Sequence, residues 1–227
     1  MKPVITAFDW VPDFAKGQVR DLRVRWALEE VGQPYDVRYL TQGEQKQPDH
    51  RALQPYGQVP TYECGGVSLF ESGAIVLYIG ETQGLMPADP AGRAKAMEWS
   101  LAALNSVEPY IMDHAMAAVF EAGEPWSAPR LPGIQQRIAG RFAETAERLG
   151  TREWYHGDFS AGDLLMIAVL RIMKGNPLLA AQPTLADYVA RGEARPAFQR
   201  ALAGQMGGFT GAPPAGWREP VVEEAAA

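Results

Sequence analysis

The chain is poor in the residues that build cross-links and metal centres. Its 227 residues include a single cysteine, Cys64, so neither an internal disulfide nor a multi-cysteine metal site is available. The three histidines, His50, His114 and His156, lie far apart and none shows helical ligand spacing, so no metal is expected. Also missing is any run of about eighteen apolar residues, the length a helix needs to span a bilayer. Met1-Lys2-Pro3 leads straight into Val4-Ile5-Thr6 without a signal-peptide pattern. The expectation is therefore a cytoplasmic protein without a membrane partner. Positive charge is in deficit, 21 Lys and Arg against 27 Asp and Glu, for a net charge of −6. Phosphate binding depends on Lys and Arg neutralisation, so a nucleic-acid partner is not expected. Arginines are dense only at Arg20, Arg23 and Arg25, which reads as the solvated face of a helix. The hydrophobic content of 47% and charged content of 21% suit an ordinary globule, long enough for one large domain or two small ones.

What the chain does have is concentrated in Gln54 to Glu81. Gln54-Pro55-Tyr56-Gly57 is a turn cluster that delivers the chain to Val59-Pro60, where proline removes a donor and opens a strand. Thr61 to Cys64 and Val67 to Phe70 are β-prone runs joined by Gly65-Gly66, the composition a two-residue hairpin demands because both turn positions need φ > 0. Glu71-Ser72-Gly73 then opens a mostly apolar run from Ala74 to Ile79, read as a helix. Its first turn presents unpaired N–H groups, a hydroxyl and a carboxylate at one point. Such a helix start favours an anion, and the carboxylate beside it favours an ammonium; together they suit an α-amino acid. The competing reading makes Ser72 a cap and Glu71 a partner of the helix dipole.

The combination of Val59-Pro60, a hairpin, and Glu71-Ser72 opening a helix resembles the amino-terminal, thioredoxin-like domain of the glutathione S-transferases. That resemblance implies a cis bond at Pro60, pairing of the Val59 backbone with the cysteinyl part of glutathione, and a grip on the γ-glutamyl end by Glu71 and Ser72. It further implies contacts from Gln58 and, near the glycyl carboxylate, from Gln45.

The surrounding pattern is compatible. Val4 to Phe8 is β-prone, Val19 to Val31 carries helical spacing that Gly32 ends, and Tyr35 to Leu40 alternates as a strand. The opening is thus βαβ. A short helix around Asp49 to Leu53 completes the order β-α-β-α-β-β-α. Residues 1–82 are expected to form the thioredoxin-like α/β domain. A linker follows at 83–92, where Gly84, Pro87 and Pro90 fall. From 93 to 227 an all-α helical domain is expected, with helices over Arg93 to Met116, Pro132 to Leu149, Thr184 to Arg191 and Pro196 to Ala203, and an irregular tail from about 204. Ser160-Ala161-Gly162-Asp163 precedes the apolar run Leu164 to Leu170, a Ser-x-x-Asp capping box for a buried helix. The transferases carry a similar box in their second domain. They also place an electrophile pocket between the domains, which carries over to Tyr110 and His114 on the first long helix.

One family feature is absent. Transferases of this fold activate the glutathione sulfur with Tyr, Ser or Cys just after the first strand, and Asp9 to Arg20 contains none of these. Gln18, Arg20 and Lys16 stand nearest that position. The resemblance implies a glutathione-dependent transferase that conjugates the thiol to a small apolar electrophile, or performs related isomerase, dehalogenase or disulfide-exchange chemistry, as a homodimer. The missing hydroxyl keeps open a non-catalytic binding or regulatory member of the fold.

Overall fold

The protein is described over residues 1–217 by a computed structural model. Four strands form one mixed sheet in the order β2-β1-β3-β4. β1 (Val4–Phe8) runs parallel to β2 (Asp36–Leu40) and antiparallel to β3 (Thr61–Cys64). β4 (Val67–Phe70) closes the hairpin with Thr61 opposite Phe70. Gly65 and Gly66 take φ of 59° and 85° at its tip, the conformation for which both positions need glycine. The parallel pair needs a crossover, which α1 (Asp21–Glu30) supplies. α2 (Pro48–Arg51) leads into the hairpin and α3 (Ser72–Gln83) leaves it. The expected order is therefore present, and the Val59-Pro60 bond is cis.

Beyond the sheet the described chain is helical: α4 (Pro90–Ala102), α5 (Glu108–Ala115), α6 (Ser127–Leu149), α7 (Ala161–Leu170), α8 (Pro177–Ala180), α9 (Pro183–Glu193) and α10 (Pro196–Met206). The first long segment starts at Pro90 rather than Arg93, because Asp89 caps it by accepting from the Gly92 N–H at 2.8 Å. It continues to Phe120 through π-helical turns at Ala103–Val107 and Met116–Phe120. The first of these precedes Pro109, which has no N–H to return to the preceding turn. α6 begins at Ser127, not Pro132, since the Ser127 hydroxyl bonds the Ala117 carbonyl at 2.5 Å and pins the start there. The expected linker also shortens: α3 holds Gln83 and ends at Gly84, and α4 takes in residues 90–92. Leu85 is buried in the connection. No helix among the described residues is long and apolar enough to cross a membrane.

Two features hold the helices to the sheet. α1 is buried continuously from Asp21 to Leu28, which overturns the solvated-face reading for Arg23 and Arg25, while Arg20 just before the helix stays half-exposed. Arg25 pairs with Asp21 at 2.7 Å, and Glu30 receives Arg195 of the α9–α10 connection through two hydrogen bonds of 2.6 and 2.8 Å. α7 is buried along its whole length. Its capping box is closed as expected, and Asp163 does more than cap: besides the Ser160 N–H at 3.1 Å it accepts from the Ser160 hydroxyl, the Tyr155 N–H and the Tyr188 hydroxyl at 2.9–3.0 Å. Residues 207–217 return along the first strand's exit, where the Gly211 N–H donates to the Asp9 carbonyl at 2.9 Å and Trp217 meets Trp10 edge-on at 5.3 Å. The rest of the tail lies outside the described residues.

Replacing Asp163 strands several buried donors at once, each costing about 1–3 kcal/mol when unsatisfied, with relaxation absorbing part. Asp163→Ala is expected to lower unfolding stability by about 3–5 kcal/mol in urea titration. A loss below about 1 kcal/mol, the ordinary cost of a missing cap, would contradict this role.

Candidate functional site

A cleft of about 930 Å³ separates the sheet and its loops from the helical part. One wall is built by Phe8, by the loop after β1 with Phe14, Gln18, Val19 and Arg20, and by Gly57, Gln58 and Val59 ahead of β3. The opposite wall comes from Ile111, Met112, His114 and Ala115 of α5, the turn ending at Phe120, and residues 172–177. Phe14 and Phe120 reach across from the two walls and meet edge to face at 5.8 Å. The cleft is thus chiefly apolar, with Gln18, Arg20, Arg23 and Gln58 on the sheet side and Glu108, His114, Lys174 and Asn176 on the helical side as its polar groups.

Two of these, Arg20 and Arg23, are organised by one carboxylate. Glu108, the first residue of α5, is buried. It accepts from Arg20 at 2.6 and 3.1 Å and from Arg23 at 2.9 and 3.1 Å. Burial by itself pushes its carboxyl upward, but the two guanidinium groups outweigh that and hold it below the ordinary value. Burial pushes Arg23 down, opposed chiefly by Glu108 and further by the nearby Glu71 carboxylate. A second Arg23 nitrogen role follows: Nη1 also donates to the Ser72 hydroxyl oxygen at 3.3 Å. Arginine has donors only, so Ser72 Oγ must accept from it, and the hydroxyl hydrogen is left to donate to an incoming acceptor.

Ser72 is buried at the start of α3, and Glu71 before it has φ of 68°, the one positive-φ residue other than glycine among those described. Neither side chain caps the helix, so the capping reading is not met. A side chain held at positive φ costs on the order of 1–3 kcal/mol, and such strain concentrates at ligand sites. The lead-in to β3 is also braced: the Gln58 carbonyl accepts from His50 Nε2 at 2.6 Å, and the Gln58 N–H donates to Gln54 Oε1 at 3.2 Å.

Of the residues singled out from sequence, Gln18, Arg20, Gln58, Val59 and His114 share the cleft wall. Burial pushes the His114 imidazole below its ordinary value, against the pull of Asp113. Ser72 stands beside the wall, joined to it through Arg23, with Glu71 preceding it in the chain, and Pro60 is buried next to Val59. Three others are elsewhere. Tyr110 points away from the cleft wall, its ring 5.3 Å beneath the Arg141 guanidinium. Lys16 is paired with Asp13 at 2.6 Å outside the wall. Gln45 is turned back on its own loop, accepting the Gly43 N–H at 2.7 Å. Sequence reasoning missed Arg23 and Glu108; the one available signal was a glutamate set between Leu104 and Met112 in an apolar stretch.

The family model for the glutathione S-transferase N-terminal domain matches residues 5–81. Among characterised sequences, the chain is 30% identical to a maleylacetoacetate isomerase of Rhizobium meliloti over 79% of its own length and 89% of that protein's. It is 29% identical to glutathione S-transferase 3 of Zea mays, with 80% and 88% covered. Among solved structures it resembles a glutathione transferase from Burkholderia graminis, determined with two glutathione molecules bound per subunit. The TM-score is 0.77 and the identity 25%, with 88% and 87% of the two chains covered.

The Arg20–Glu108–Arg23 cluster carries a pH signature. Because the folded carboxyl titrates below its ordinary value of 4.5, its contribution to stability is present above that value and is lost as pH falls through the lower folded one. Glu108→Gln takes away the carboxylate that buried Arg23 bonds directly, at a cost of about 3–5 kcal/mol near neutral pH. The variant is also expected to show a flatter decline in stability below about pH 4.5. Parallel acid profiles for wild type and variant would contradict this reading.

Proposed function

Because the chain belongs to the glutathione S-transferase family, we propose that it binds glutathione between the start of α3 and Val59 and directs the thiol into the cleft. The observation that carries this is the Glu71-Ser72 corner, with a strained backbone, a carboxylate for an ammonium and a hydroxyl whose hydrogen Arg23 leaves to donate. In this reading the γ-glutamyl end lies at Glu71 and Ser72, the cysteinyl backbone runs past Val59 and Gln58, and the sulfur faces Gln18 and Arg20. The thiolate then forms a bond to an electrophilic carbon of a small apolar substrate seated against Met112, Ile111 and Phe120. The electron pair leaves with a displaced group, or is taken up by an adjacent carbonyl where the substrate is an enone. The latter is addition of the kind an isomerase uses, and the similarity to a maleylacetoacetate isomerase supports keeping it within the proposal.

A second reading, binding without catalysis, has one observation in its favour: the cleft wall contains no Tyr, Ser, Thr or Cys. Turnover of an activated aryl halide and of a cis-enone, each with glutathione, separates the two readings. We further propose a homodimer. Tyr56, 62% exposed beside the sheet, and Met97 and Leu101, 43% and 48% exposed on α4, offer apolar contacts on both parts of the chain.

Two substitutions test the ligand site in opposite senses. Ser72→Ala is expected to weaken glutathione binding by about 1–3 kcal/mol in isothermal titration. Glu71→Gly removes the carboxylate but relieves the positive φ, so affinity falls while unfolding stability does not. Wild-type affinity in both variants would overturn the assignment. For the assembly, sedimentation is expected to give twice the 24.8 kDa chain mass, and Tyr56→Glu to shift it toward one; a wild-type monomer at micromolar concentration would contradict the dimer.

A further inference from the structure

We propose that Arg171, at the end of α7, is a positioning residue that fixes the polarity of the Gln18 amide, making Gln18 the hydrogen-bond donor that stabilises the glutathione thiolate. The inference rests on the glutathione site proposed above and supplies the group that the missing hydroxyl leaves open. Arg171 Nη1 contacts Gln18 Oε1 at 3.2 Å and also donates to the Gly17 carbonyl. A guanidinium has no acceptor, so the amide atom turned toward it is the oxygen whatever the rotamer. The NH2 end is left to face the cleft that Gln18 lines. An amide free to flip would present oxygen to the sulfur as readily as nitrogen, and an oxygen there disfavours a thiolate. Arg171 removes that alternative.

Arg171 is itself held. Its side chain is buried, its Nε donates to Glu193 at 3.1 Å, and its guanidinium lies 5.0 Å over the Phe198 ring. The loop it grips is equally set. Gly17 has φ of 74°, and a Cβ there would come within 3.3 Å of Leu202 on α10, so the carbonyl that receives Arg171 depends on glycine at this position. The helical part thereby determines which end of a side chain on the sheet side meets the sulfur. In this step only the thiol S–H bond breaks, and its electron pair stays on sulfur. The thiol proton leaves to solvent, and the amide N–H donates to the sulfur that remains.

The test is the thiolate absorbance of glutathione bound to the full-length protein, titrated against pH. Wild type is expected to show a thiol pKa about one unit or more below that of free glutathione, equivalent to about tenfold more thiolate at a pH below both values. Gln18→Ala is expected to abolish most of that shift with glutathione affinity changed less than about threefold. Arg171→Met is expected to raise the pKa in the Gln18 background and to change nothing further in Gln18→Ala. Gln18→Glu keeps an oxygen for Arg171 and turns a second toward the sulfur, so its bound thiol should titrate above the wild type, without any change at Arg171. This variant carries the test if Arg171→Met does not fold. Arg20, Arg23, Glu108 and His114 on the wall are not substituted, and any effect through Lys174, which shares Glu193 with Arg171, is common to both backgrounds and cancels in the comparison. An Arg171→Met effect of equal size in both backgrounds, or a wild-type pKa in Gln18→Glu, would overturn the proposal. Failure of the wild type to bind glutathione would instead overturn the site on which it rests.

Discussion

The buried pairing of Arg23 with Glu108 is the contact on which the rest of the site depends. Moving two charges out of water costs more than their attraction returns unless every donor and acceptor is used. Here both Glu108 oxygens are occupied, and Arg23 spends its remaining reach on Ser72. The same bonds therefore do two things. They clamp α5 to α1 across the cleft, and they set the direction of a hydroxyl at the start of α3. A defect in the clamp becomes a defect in the ligand corner without any change in the residues that touch a ligand.

The activation proposed for the sulfur is a separate matter and uses different chemistry on the same wall. A hydroxyl or thiol donor carries its own rotatable hydrogen, whereas an amide has one donating end and one accepting end, and orientation decides its effect. Arg20 adds a half-exposed cation nearby, though Glu108 already neutralises much of it. In the proposed arrangement few charges lie at the sulfur, and its stabilisation rests on dipoles held in place, which act without reorganising when charge develops.

Much of this was legible in the sequence wherever the signal is local. Gly65-Gly66 specifies a hairpin, Ser160 and Asp163 a helix start, and Glu71-Ser72 a charged corner, all through neighbours within a few positions. The arginines of α1 were misread because periodicity detects one buried face, and this helix is covered all round, by the sheet on one side and α10 on another. The pairings that define the site join residues 85 and 153 positions apart, and no spacing rule reaches that far. Tyr110 failed for a related reason. It carries over from the resemblance as a residue of the first long helix, which does not say which side chains of that helix face the cleft: Ile111, Met112, His114 and Ala115 do, and Tyr110 lies by Arg141 instead.

The measurement that bears most directly on the account is a crystal structure of the protein with glutathione. The account predicts the γ-glutamyl carboxylate within hydrogen-bond distance of Ser72 Oγ, the ammonium at Glu71, the cysteinyl main chain along Val59, and the sulfur on the cleft side of the Gln18 amide nitrogen. Glutathione seated elsewhere, or seated here with its sulfur turned away from Gln18 and Arg20, would contradict it.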